Sequence, residues 1–218
     1  MKKINRKPRP PISDPLRHAE KKHGVPFLKK RTVAPWEEWI SRHTTGEFAS
    51  LGKGYKRHCG PTAVTNMILS LNRRYHLTRS PLAAKEIFLK VARLAQKRGI
   101  YWNTEFLNHF GGTSDLLTPL YLHSALRNYH IPARVSGPVV ASRRGLLRDI
   151  EDGALIYLQL YLHPIYGSHH LLCYGYTVLR ALASGKDEIF LILADGWSQA
   201  PRYLPLSELY LFHYYAVR

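Results

Sequence analysis

Cys59-Gly60-Pro61-Thr62-Ala63 places a thiol where a helix begins, in a chain with two cysteines. Val64, Met67, Ile68 and Leu71 then recur at i, i+3, i+4, i+7, the spacing of one apolar stripe on a core-facing helix. The positive end of a helix macrodipole favours negative charge on the sulfur, and a nearby imidazolium would add to it. A thiolate near neutral pH is therefore expected. Gly60 leaves room beside the sulfur for a substrate backbone, and Pro61 falls in the first turn, where its missing N–H costs nothing. The competing reading is a free cysteine buried as a small hydrophobe.

Two later segments supply the groups that a nucleophilic thiol needs. Gly167-Ser168-His169-His170-Leu171-Leu172-Cys173-Tyr174-Gly175-Tyr176 opens a strand with a histidine pair. Alternation puts His169, Leu171 and Cys173 on one face and His170, Leu172 and Tyr174 on the other, so one histidine of the pair faces a cleft. Ile192-Leu193-Ala194-Asp195-Gly196-Trp197 ends an apolar strand with a carboxylate, a turn and an indole. Thiol, imidazole and carboxylate in this order are the parts of a cysteine nucleophile, its base and an orienting group.

On these residues the chain resembles the papain-like cysteine peptidases, and most closely their bacterial double-glycine leader peptidase-like branch. The resemblance rests on Cys59-Gly60-Pro61-Thr62-Ala63, on His169 six residues before Gly175-Tyr176, on Asp195-Gly196-Trp197 and on the closing segment Tyr203 to Leu209. It runs from about Gly52 to the C-terminus. It implies an α+β fold in which a helical layer carrying the nucleophile packs against an antiparallel sheet, and a Cys59-His169-Asp195 triad. The six-residue spacing selects His169 over His170. The family's oxyanion glutamine, six residues before the nucleophile, is Lys53 here; an ammonium could take its place, with the Cys59 N–H as second donor. The implied chemistry is acyl transfer from a peptide or protein through a thioester on Cys59, with Trp197 shielding the Asp195–imidazole bond from solvent and no metal or organic cofactor required. Hydrolysis and transfer to an amine share that intermediate, and a catalytically dead binding scaffold would keep the same cleft.

The elements that must hold these groups are legible to differing degrees. Beyond the Cys59 helix, Ser80-Pro81 starts a helix with Ala83, Ile87, Val91 and Leu94 on one face and Gly99 past its end. Another follows Gly111-Gly112-Thr113-Ser114 to about Tyr129, and a shorter one spans Arg143 to Asp152, capped by Ser142. Strands are expected over 154–161, 169–178, 188–194 and 213–217. Helices first and strands afterwards suggest a two-layer α+β domain.

The formal net charge is +17, and residues 1–31 hold 11 Lys/Arg against 2 Asp/Glu with five prolines. Residues 1–32 therefore read as a flexible basic arm and 33–218 as the folded domain. Such an arm would be drawn to an acidic protein, nucleic acid or an anionic surface. Two cysteines cannot form a disulfide framework, and no apolar run reaches membrane-span or signal length, which together suggest a cytoplasmic protein. A sequence pI near 10.0 and many aromatics keep a nucleic-acid-binding module as an alternative, although no binding motif accompanies them. Gly46 to Lys53 has the wrong spacing for a phosphate loop, and His163, His169 and His170 lack metal-site spacing. His58 is expected at the cleft rim and Cys173 in the strand core.

Overall fold

The computed structural model describes residues 10–51, 57–78, 82–102 and 112–218. In chain order they form α1 (Pro15–His23), β1 (Phe27–Val33), α2 (Thr45–Ala49), α3 (Cys59–Tyr75), α4 (Ala84–Lys97), β2 (Tyr101–Trp102), β3 (Gly112–Thr113), α5 (Thr118–Asn128), β4 (Val135–Ser136) and α6 (Arg143–Glu151). Five strands follow: β5 (Leu155–His163), β6 (Gly167–Ala181), β7 (Asp187–Ala194), β8 (Arg202–Pro205) and β9 (Phe212–Val217). The fold class is α+β. The four strands expected from the sequence are all present with shifted ends, and Ser142 caps α6 by accepting from Gly145 N–H at 3.0 Å. Ser80, Pro81, Gly111 and Lys53 lie outside the described residues.

The main sheet is antiparallel in the order β4-β9-β5-β6-β7-β8. Its long strand β6 pairs with β5 along its first half and with β1 along its second, while β7 runs down its other side. Alternation splits the buried side chains as the pleat requires. Tyr157, Leu172, Tyr174 and Ile192 join Val64, Met67 and Ile68 of α3, with α4 and α5 packed outside. Ile156, Leu158, Leu171, Cys173 and Leu193 meet Leu146 and Ile150 of α6 on the reverse face. The domain thus has three layers rather than the expected two, because α6 covers the second sheet face.

Helix α3 is buried well beyond its predicted stripe, from Gly60 through Asn72. Two of its buried hydroxyls are satisfied within the helix: Thr65 Oγ1 donates to the Pro61 carbonyl at 2.8 Å and Ser70 Oγ to the Asn66 carbonyl at 2.6 Å. Asn66 also accepts from His43 N–H and donates to the His43 carbonyl, both at 2.9 Å, which pins the chain before α2 to the helix.

The basic arm requires correction. Of the stretch read as flexible, residues 10–32 are built into the domain. Asp14 caps α1, β1 pairs with β6 from Phe27 to Val33, and Ile12 bridges Tyr203. Ile12, Ala19 and Phe27 form a cluster with Leu179, Ala181 and Phe190. Few apolar groups suffice here because β1 is an edge strand whose Lys29, Lys30 and Arg31 stay in solvent. Gly175 admits the chain that follows β1: a methyl there would lie 2.5 Å from the Val33 carbonyl oxygen.

Candidate active site

Cys59 occupies the first turn of α3, and the main-chain N–H groups of His170 on β6, of Gly60 and of Cys59 itself favour its thiolate. The thiol is nevertheless pushed above its ordinary range. Burial is the dominant cause and the Asp115 carboxylate adds to it, while the three amides pull the other way. The thiolate expected at neutral pH is therefore not the resting form, since a helix end offsets only part of the loss of solvent. The residue itself retains partial exposure.

His169 shares its face with Leu171 and Cys173, as alternation requires. Its ring stacks on Tyr166 at 5.7 Å between centroids and lies 4.8 Å from Trp197. Nε2 donates to the main-chain carbonyl of Asp195 at 2.7 Å. A carbonyl only accepts, so Nε2 carries the proton and the neutral ring presents a lone pair at Nδ1. Among the described residues Nδ1 has no hydrogen-bond partner, and no hydrogen bond joins either imidazole to the Cys59 sulfur. Burial first, and the neighbouring His170 second, press the His169 pKa down to about 4 against the opposing pull of the carbonyl.

The expected contact between the Asp195 carboxylate and the imidazole is absent. Oδ1 accepts instead from the N–H groups of Trp197 at 2.9 Å and Ser198 at 3.1 Å, and Oδ2 from the Tyr166 hydroxyl at 3.5 Å. An Asx turn at the strand end draws the side chain to its own backbone and leaves the carbonyl to orient His169.

His170 faces the α3 side with Leu172 and Tyr174. Its Nδ1 lies 3.0 Å from Tyr157 Oη and its Nε2 3.2 Å from Asp115 Oδ1. Gln159 Nε2 donates to the same Asp115 oxygen at 3.0 Å and to Thr118 Oγ1 at 2.9 Å. Sequence reasoning passed over Asp115 and Gln159. The available signal was Gln159 itself, a single polar side chain in the apolar run from Leu155 to Leu160.

The remaining candidates fall as follows. Gly60 leaves no room for a substrate backbone, because Thr113 of β3 fills it: a methyl on Gly60 would stand 2.1 Å from Thr113 Oγ1. His58 is buried rather than at a rim, its Nε2 donating to the Thr45 carbonyl at 2.9 Å and its ring edge-on to Phe88 at 5.4 Å. Trp197 is half exposed with its ring 4.8 Å from that of His169, but the carboxylate–imidazole bond it was expected to shield is not formed. Cys173 is fully buried in the sheet. His163 accepts at Nδ1 from Ile165 and Tyr166 N–H, which shapes the turn before β6. Among the described residues no group of three or more His, Cys, Asp and Glu is placed to hold a metal ion, and no helix is long and apolar enough to cross a membrane.

Fold and site together define an α+β domain whose central helix presents a cysteine at its N-terminus beside the histidine pair of an antiparallel sheet. Comparison with protein-family models, curated proteins and solved structures returns no match.

Proposed function

We propose that this chain is a papain-like cysteine peptidase, or a related acyl-transfer enzyme, which acts on a peptide or protein through a thioester at Cys59. The observation that carries this reading is a partly exposed cysteine at the N-terminus of the buried central helix α3, whose packing face is the sheet face that carries His170. Cys173 differs in exposure: it sits fully buried in the sheet, its pKa pushed up to about 12 by burial despite the main-chain groups of Gly175 and Ile192 beside it.

His169 is the proposed base on the strength of the resemblance and of its uncommitted Nδ1 lone pair, although alternation sets it on the face of Leu171 and Cys173 and puts His170 on the α3 face with Cys59. The raised thiol and lowered imidazole make the resting pair neutral. The proton then moves to Nδ1 as sulfur attacks the carbonyl rather than beforehand. The same Nδ1–H protonates the leaving amine, and the regenerated base activates water or a second amine for deacylation. Lys53 takes the family's oxyanion position in this reading.

Incubation with a peptide library, acid quench and mass spectrometry should find an acyl adduct on Cys59 and none in Cys59→Ala. Full turnover by Cys59→Ala would overturn the proposal. The neutral resting pair also favours a second reading, a binding scaffold without turnover; retained peptide binding with no acyl adduct would support it.

A further inference from the structure

Strand β8 borders β7 only from Phe190 to Leu193, opposite Pro205 to Arg202. After Pro205 the chain leaves in a 3-10 turn at Leu206–Glu208, so among the described residues Asp187, Glu188 and Ile189 have no strand on their outer side. One bond sets the main-chain direction along this edge: the Lys186 carbonyl accepts from Ala181 N–H at 2.9 Å and so faces β6. Alternation then turns Glu188 toward β6 and the N–H and C=O groups of Asp187 and Ile189 outward. Among the described residues no hydrogen bond reaches those outward groups.

The notch beside them widens into a groove of about 640 Å³, within the usual size of a ligand pocket. Val25, Phe27, Ala181, Ile189 and Leu206 supply its apolar lining. Its two carboxylates are neutralised by neighbours: Glu188 lies 2.8 Å from Lys22 and 3.0 Å from His23, and Asp187 lies 2.7 Å from Arg180 and 2.8 Å from Lys30. Arg143 and Lys186 also line the groove, and neither has a carboxylate partner among the described residues. Arg143 donates instead to the main-chain carbonyls of Ser207 and Leu209, which leave its charge uncompensated. The groove therefore offers strand-spaced hydrogen-bonding groups, apolar surface and spare positive charge.

A peptide answers all three. Its main chain pairs with an open edge, alternate side chains fill an apolar pocket, and a carboxylate side chain meets the cations. A fatty acid would leave the edge groups unpaired, and a nucleic acid would leave the apolar lining unfilled. We propose that this groove is a binding site for an extended acidic peptide segment, which adds to β7 as a short strand in the place that β8 vacates. It lies at the far end of β6 from His169: Ala181 follows His169 by 12 residues, roughly 35–40 Å at strand rise. The site is thus separate from Cys59 and binds with or without a nucleophile there.

The test is fluorescence anisotropy of the full chain with fluorescein-labelled peptides in which valine alternates with glutamate or with lysine. The glutamate peptide should bind and the lysine peptide should not. Because the whole chain is basic, charge alone must be subtracted. The glutamate peptide N-methylated throughout keeps every carboxylate but cannot pair with an edge, and it should lose the binding. Lys186→Glu, an exposed substitution that leaves the main-chain carbonyl in place, should weaken the parent peptide roughly three- to ten-fold. Alkylation of Cys59 with iodoacetamide should change nothing. Equal binding of the N-methylated or the lysine peptide, no response to Lys186→Glu, or loss on alkylation would each overturn the proposal, the last by placing the peptide in the Cys59 cleft. Failure of the glutamate peptide to bind would overturn it too; saturable binding of dodecanoate in its stead, read by calorimetry, would assign the groove to a fatty acid.

Discussion

The His169 Nε2–H meets the main-chain carbonyl of Asp195 at 2.7 Å, while the Asp195 carboxylate turns back onto the amides of residues 197 and 198. A carbonyl sets the tautomer as firmly as a carboxylate does, but it carries no net charge to support an imidazolium. The carbonyl offsets only part of the effect of burial at His169, which agrees with a pKa of about 4 rather than one above the ordinary value.

Asp195→Asn should keep turnover within roughly ten-fold of wild type, because the amide oxygen still accepts from both N–H groups of the turn and the carbonyl is untouched. A triad carboxylate would instead lose roughly 10⁴ in kcat. Steady-state kinetics of this one variant separate the two arrangements.

Acid should weaken the fold through His169. The unfolded ring has a pKa of about 6.5 and the buried one about 4, so the unfolded chain binds the extra proton first. Stability from this group is fully present above pH about 6.5 and falls by roughly 3 kcal/mol as the pH drops to about 4. Denaturant melts of wild type and His169→Phe across that range should show a shallower pH slope for the variant. A residual slope is expected, because burial also lowers the pKa of His163 and His213.

Gly60→Ala should destabilise the domain by about 1–3 kcal/mol through overpacking. The added methyl would meet Thr113 Oγ1 at 2.1 Å and Cβ at 2.7 Å, so Thr113→Ala should not rescue it, whereas Thr113→Gly should do so in part. Urea midpoints for wild type, Gly60→Ala and the two double variants measure this, and rescue by Thr113→Ala would contradict the placement of the Thr113 Cβ.

Deletion through Val33 should lower stability markedly, in contrast to trimming a flexible arm. Loss of the buried Ile12 and Phe27 side chains alone removes about 3–6 kcal/mol of hydrophobic stabilisation. It also strips β1 from β6. An unchanged thermal midpoint for the truncated chain would show that α1 and β1 contribute nothing to the core.

The Cys59 helix, the Ser142 cap and the four principal strands could be read from sequence, because their signals are local: an apolar period of 3.6 or 2, a capping hydroxyl or a turn residue. The same alternation told that His169 and His170 point to opposite faces. Local patterns could not show that β1 joins the sheet, since an edge strand with Lys29, Lys30 and Arg31 in solvent resembles an unstructured basic arm. Nor could they show that Gly60 is a glycine for the sake of Thr113, which lies 53 positions away in the chain.

By itself, then, the sequence determined the α+β class and the candidate reacting groups at Cys59 and His169, because residue type and period suffice for those. The tertiary structure alone decided which atoms serve them. Burial, not the helix end, governs the Cys59 thiol, and a backbone carbonyl, not the Asp195 side chain, holds His169. Desolvation and hydrogen-bond direction depend on every neighbour in space, and most of those neighbours are distant in sequence.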